Sequence, residues 1–349
     1  MFISALELFK IGVGPSSSHT MGPMVAAGYF LDQIGRYLSV YQDEEDSKML
    51  SNVYVRCTLK GSLAYTGIGH GTDRAICLGL NGYSPSSVAS QNVDELLARL
   101  SQQKNLALRG GGFLKFSSAA DIIFDKGKSL KEHPNGIIFD LIEEGGNIVL
   151  SKTYFSIGGG FVKSLEEISQ LVAPIKMLSS TANPFGFDSA KSMLLMSSES
   201  SLTIAQMKAQ NELNYISQAS LDNGLSSIWS AMKRCINNGL NTDGILPGGL
   251  NISRRAKHLH EQLIAKPECG NLNDWLCAYA MAVNEENAAG HMVVTAPTNG
   301  AAGVIPAILY YFMEHENGDE QKVREFLLTA SAIGGLIKHR SSISGAEVG

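Results

Sequence analysis

The chain has no Cys-x-x-Cys pair, no Gly-x-Gly-x-x-Gly fingerprint and no Gly-x-x-x-x-Gly-Lys-Ser/Thr loop. Each absence removes a class. Cys57, Cys77, Cys235, Cys269 and Cys277 are spaced for neither a zinc site nor a disulfide framework, and most read as small apolar core residues. Gly158–Gly160 resembles a phosphate cradle only superficially, so neither common nucleotide-binding loop is present. Charged residues are sparse, at 17%, and the formal net charge of -5 argues against a nucleic-acid or anionic-membrane partner. No uninterrupted apolar run approaches membrane-spanning length, and the N-terminus lacks a basic stretch followed by an apolar one. The expected compartment is the cytoplasm.

What is there describes a compact, loop-rich protein of two domains: 349 residues, 44% of them hydrophobic, with 36 glycines. Residues 11–23, Ile-Gly-Val-Gly-Pro-Ser-Ser-Ser-His-Thr-Met-Gly-Pro, organise the first half. Glycines and a proline shape a loop, and hydroxyls with His19 crowd before an apolar run of helical spacing, Met24–Ile34. Thr20 or a neighbouring serine suits the N-cap, and a helix start offers unpaired N–H groups to a small anion. A polar loop that merely caps a helix explains the same residues.

Upstream, Ser4-Ala-Leu-Glu7 reads as a capping box on a short helix, and Asp43–Lys48 as an acidic loop. Alternation of Val53, Val55, Cys57 and Leu59 predicts a half-buried strand, and Thr72 is placed to cap a helix to about Leu80. Asn92-x-x-Glu95 starts another helix, and strands are predicted at Phe113–Phe116, Ile122–Phe124, Ile137–Ile142 and Ile148–Phe155. A short helix follows over Ser164–Leu171. The fold class is α+β: an α+β domain over 1–172, a linker over 173–187, and an all-helical domain over 188–349. Its helices are predicted near 188–198, 201–218, 221–238, 254–265, 272–288, 303–315 and 319–338, with Gly239 and Gly290 as stops.

His70, between Gly69 and Gly71, is the titratable residue best placed to act as a base, since flanking glycines admit a ligand closely. A water-exposed turn histidine is the plainer account. Thr298 and Asn299 precede a second apolar helix, and the Asn299 amide can both donate to and accept from an amino acid. A capped helix in a packed core explains them equally. Asn284-Glu-Glu-Asn287 and Arg254-Arg255 read as solvated surface, and Met193, Met196 and Met207 as core filling.

Several separated motifs in one order resemble the bacterial iron–sulfur L-serine dehydratases, also called L-serine ammonia-lyases. They are Ile11–Pro23 with Ser16-Ser-Ser-His-Thr20, Gly61–Asp73 with Gly69-His-Gly-Thr72, Tyr154–Phe161, Asn241–Gly249, Met281–Gly303 with Asn284–Gly290 and Thr295–Gly300, and Ile343–Gly349. The resemblance implies an N-terminal domain similar to a regulatory serine-binding module and a helical catalytic domain. It implies α,β-elimination of water from L-serine, a [4Fe-4S] cluster acting on the leaving hydroxyl, and a homodimer. By motif, His70 is the base. Ser17, Ser18, His19, Thr20 and Thr72 line the substrate pocket, and Thr298, Asn299 and Gly300 complete it from the helical domain. Pyridoxal phosphate chemistry, the rival for this reaction, needs a Schiff-base lysine beside a phosphate-binding glycine loop, and no convincing pair is found.

The resemblance also brings departures. The family's cluster cysteines are expected after Gly349, and none of the five cysteines occupies a family ligand position. Ile68 stands where relatives usually have lysine, His291-Met292 where they have Gly-Arg, and Arg340-Ser341 where they have Asn-Ala. Three readings stay open: a dehydratase continued elsewhere, an inactive truncated homologue, or an L-serine-binding module without the cluster.

Overall fold

A computed structural model of the chain describes residues 2–39, 53–89, 91–108, 111–169, 183–296 and 298–340. The Asp43–Lys48 loop, most of the 173–187 linker and the motif at 343–349 lie outside them. The described residues form two compact units, one of 15–169 and one of 2–14 with 183–340. The N-terminal segment therefore belongs with the helical unit, which differs from a single division near residue 172.

In the first unit the strand Val53–Lys60 turns Val53, Val55, Cys57 and Leu59 inward, as alternation predicts. It is central to a seven-stranded sheet and pairs antiparallel with Gly136–Glu143, which pairs antiparallel with Ile148–Ser156. Gly146, at φ 84°, turns the chain between those two strands. On its other side Val53–Lys60 runs parallel to Phe113–Lys115 and Ile122–Asp125. Asn105–Ala107 and Val162–Ser164 close the edges, and the periodic pattern does not reveal either, because three residues carry too little of it.

The helices Gly22–Ser39 and Thr72–Leu80 pack together near this sheet. A Cβ on Gly79 would sit 2.2 Å from the Met24 carbonyl oxygen, so only glycine allows that approach. Phe30 stacks on Phe139 of the sheet with ring centres 5.1 Å apart.

The second unit is built on Gln218–Asn241, with Ala190–Ser200, Ile204–Leu213, Ala256–Ala265, Leu272–Ala288, Val304–His315 and Glu320–Arg340. Gly239 lies inside its helix and does not stop it. A Cβ there would meet the Ala282 carbonyl oxygen at 2.3 Å, so it lets two helices touch. Gly290, at φ 81°, does follow a helix end. Strand signals are not wholly missing from this unit. Lys10–Val13 pairs antiparallel with Met292–Thr295, all four residues of which are buried and so show no alternation.

The first residues are anchored by a buried pair, Lys208 and Glu212, 3.2 Å apart. Glu212 accepts from the Ala5 N–H at 2.6 Å and the Ser4 hydroxyl at 2.8 Å, while the Lys208 ammonium donates to the Ile3 carbonyl. Ser4 caps Leu6 but forms no reciprocal box with Glu7. Met193 and Met207 are buried in a core cluster with Met196 packed against it, as core filling requires. Among the described residues no helix is long and apolar enough to cross a membrane.

Candidate active site

The serine-rich loop becomes a wide turn of π-helical type, Ser17–Met21, which leads directly into Gly22–Ser39. Its N-cap is Ser16, whose hydroxyl accepts from the His19 N–H at 3.1 Å; Thr20 does not cap. The turn carries His19 inward to 6% exposure. Thr72 is likewise the first residue of its helix, after a Gly71 cap at φ 60°.

His19 and His70 meet with ring centres 4.8 Å apart. His70 ends a short turn, Ile68–His70, and its Nδ1 lies 2.9 Å from the Thr66 carbonyl oxygen. A carbonyl can only accept, so Nδ1 carries a proton, and in the neutral form of the ring Nε2 carries the lone pair. The His19 ring is bounded by two hydroxyls, Ser18 at Nδ1 (2.8 Å) and Ser62 at Nε2 (3.0 Å). Burial, and next the neighbouring His70, pull His19 down to about 4, which keeps it neutral at pH 7.

Two threonines cross-tie the histidine backbones. Thr20 donates to the His70 carbonyl at 2.8 Å, and Thr72 donates to the His19 carbonyl at 2.5 Å. Ser17 accepts from the Gly159 N–H at 3.2 Å, and Ser156 donates to the Ser18 carbonyl at 2.7 Å. Gly158, Gly159 and Gly160 all have positive φ, and this run meets the serine turn through the Gly159 N–H. Ser17, Ser18, His19, Thr20, His70 and Thr72 thus come together in the first unit.

Thr298, Asn299 and Gly300 belong to the second unit. Thr298 and Gly300 are exposed, whereas Asn299 is buried and donates from Nδ2 to Asn287 Oδ1 at 2.9 Å and to the Val13 carbonyl at 3.4 Å. Asn299 Oδ1 and Thr295 Oγ1 are buried with no hydrogen-bond partner among the described residues. A Cβ on Gly14 would collide with the Asn287 carbonyl oxygen at 1.9 Å, which explains the glycine.

Glu285 and Glu286 are not a solvated face. Both are buried: Glu285 accepts from the Arg255 N–H at 2.6 Å, and Glu286 from Arg254 at 2.7 Å. Arg254 is accordingly no surface residue, its side chain being only 5% exposed. His291 Nδ1 lies 3.0 Å from the other Glu286 oxygen, and despite its burial these partners hold the Glu286 carboxyl below the usual range. The charge run hid these roles because Arg254 lies far upstream in sequence.

An iron–sulfur cluster needs thiolate ligands. Cys57, Cys77 and Cys235 are buried, and burial pushes the Cys77 thiol up to about 11 and the other two well up. Cys277 is exposed. Among the described residues no three Cys, His, Asp or Glu side chains gather as a metal site would need. The four described thiols do not fit a cluster.

A neutral buried imidazole beside a second imidazole with a free lone pair, set among hydroxyls, suits acid–base chemistry on a small polar molecule. Residues 4–167 match the serine dehydratase beta chain family and residues 195–349 the serine dehydratase alpha chain family. The chain is 41% identical to the L-serine dehydratase of Streptomyces coelicolor, covering 100% of this chain and 74% of that protein. It is 40% identical to L-serine dehydratase TdcG of Escherichia coli K12, covering 99% and 74%. It is 39% identical to the L-serine dehydratase of Mycobacterium tuberculosis, covering 100% and 74%. The chain belongs to the serine dehydratase family.

Proposed function

We propose that the chain is an L-serine ammonia-lyase, converting L-serine to pyruvate and ammonia. The observation that carries the reading is the His70 imidazole, whose Nδ1–H is committed to the Thr66 carbonyl and whose Nε2 is left as a base. The family and the names of its relatives support the substrate. In this reading His70 Nε2 takes the α-proton, the Cα–H electron pair forms the Cα–Cβ double bond, and the β-hydroxyl leaves as water by taking up the proton that His70 has received, which restores the base. The 2-aminoacrylate tautomerises to the imine and hydrolyses to pyruvate and ammonia. An α-proton is a weak acid, so base and substrate must be held in register.

The hydroxyls of Ser17 and Ser18 and the neutral His19 ring surround the substrate in this proposal, while Thr20 and Thr72 hold the two histidines. Thr298, Asn299 and Gly300 of the second unit are carried as substrate residues by the resemblance alone, the Asn299 amide oxygen being buried without a hydrogen-bond partner among the described residues. The resemblance supports a [4Fe-4S] cofactor and a cytoplasmic homodimer.

The test is anaerobic pyruvate release from L-serine with iron and sulfide supplied, alongside L-serine binding by calorimetry. Turnover that His70→Ala removes is the expected result. Saturable binding without turnover would replace the lyase with a serine-binding module.

A further inference from the structure

The helix Gly22–Ser39 carries a proline as its second residue, so no N–H is available there to the turn before it. In the π-helical register of Ser17–Met21 the N–H groups reach back five residues. Met21 donates to the Ser16 carbonyl at 3.1 Å, and Gly22 donates to the Ser17 carbonyl. The next donor in that register would be residue 23, reaching the Ser18 carbonyl. In the α-helical register residue 23 would reach the His19 carbonyl instead. Pro23 can serve neither.

Side chains from elsewhere in the unit take its place at both. The Ser156 hydroxyl donates to the Ser18 carbonyl at 2.7 Å, and the Thr72 hydroxyl to the His19 carbonyl at 2.5 Å. Ser156 and Thr72 are fully buried, so water is not at hand to replace them. Ser156 has room only because residue 22 is glycine, since a Cβ there would lie 2.0 Å from its Oγ. Asn135 holds Ser156 from behind: its carbonyl accepts from the Ser156 N–H at 3.1 Å, and its Nδ2 donates to the Ser156 carbonyl at 3.0 Å. Gly22, Pro23 and Ser156 therefore match: one gives room, one leaves an acceptor open, and one fills it.

We propose that Ser156 is a positioning residue, whose hydroxyl stands in for the N–H that Pro23 lacks and so keeps the Ser17–Met21 turn in the register that sets His19 beside His70. Return of the turn to an α-helical register would rotate the residues before it, relative to Gly22–Ser39, by one residue's step of roughly 100°. That rotation would carry the His19 imidazole off His70. The proposal deepens the lyase reading and rests on it for the effect on turnover, whereas the state of the turn can be read without substrate.

The experiment follows the protonation of the His19 ring by imidazole NMR on the full chain, with pyruvate release from L-serine measured in parallel. The ring faces the hydroxyls of Ser18 and Ser62 and one titratable group, His70. In Ser156→Ala the His19 ring should reach water, so that its titration rises from about 4 toward 6.5. Pyruvate release should fall by about 10²-fold, the cost of roughly 1 Å of misplacement. Pro23→Ala restores an N–H at residue 23, so in that background Ser156→Ala should leave the titration near its starting value and cost turnover less than about threefold. A general loss of packing would not be rescued in this way. An unmoved titration in Ser156→Ala, or the same loss in both backgrounds, overturns the proposal. So does unchanged turnover after the titration has moved. Should Ser156→Ala fail to fold, the double variant should fold, and its failure also overturns the proposal. If wild type releases no pyruvate, the lyase reading falls, while the His19 titration still decides the role of Ser156.

Discussion

The Thr72 hydroxyl donates to the carbonyl oxygen of His19 at 2.5 Å, and the side chain is fully buried where it does so. Thr20 makes the reciprocal bond to the His70 carbonyl, so the threonine that follows each histidine holds the other. Thr72→Val keeps the shape and leaves a buried carbonyl without that donor, costing about 1–3 kcal/mol. Urea unfolding should show a lower midpoint at unchanged m. In the Thr20→Val background the loss should be non-additive, since the two bonds clasp one site. Additive losses would mean the two ties act independently.

His70→Ala removes the proposed base and leaves the Ser17–Met21 turn intact. Pyruvate formation should fall by about 10²–10⁴-fold, the range for loss of a general base. L-serine affinity should stay within about threefold, because no ground-state contact is assigned to Nε2. A parallel loss in binding and turnover would instead make His70 a substrate ligand.

His19 carries an acid-stability signature. Its value falls from 6.5 in the unfolded chain to about 4 in the folded one. Between those values the unfolded chain binds the proton and the folded chain does not. Stability from this group is therefore present above pH 6.5, declines as pH falls, and has gone by about pH 4. His19→Asn should flatten that part of the curve of unfolding midpoint against pH. A wild-type slope retained in the variant would assign the acid sensitivity elsewhere.

The long helices were legible because periodicity over three or more turns outweighs local noise. Predicted 272–288 is observed as Leu272–Ala288, and 303–315 as Val304–His315. Lys10–Val13 was not legible, because four residues interrupted by Gly12 and followed by Gly14 give no period and its partner strand, Met292–Thr295, lies far downstream. The site divides the same way. His70 between glycines was visible as a candidate from local chemistry, but an exposed turn histidine explained it as well, and its place beside His19 comes only from the structure. Ser62 was not visible, since what marks it is contact with His19, 43 residues away in the chain. Glu285 and Glu286 misled for a related reason: adjacent carboxylates resemble a solvated face until their distant partners are seen.

That buried network makes the last prediction. Arg254 and Glu286 are 2.7 Å apart with side chains 5% and 3% exposed, and His291 meets the same carboxylate. Removing a buried ion's partner costs more than the pair contributes, because the remaining charge cannot regain water. Arg254→Met should therefore destabilise the chain by about 3–5 kcal/mol. Adding Glu286→Gln, which removes the stranded charge, should recover part of that loss. His291→Gln should cost much less, since His291 is 39% exposed and Arg254 still faces the carboxylate. Unfolding midpoints of the three variants decide the order. A His291→Gln loss as large as that of Arg254→Met would show that the imidazole, rather than the guanidinium, is what keeps Glu286 charged.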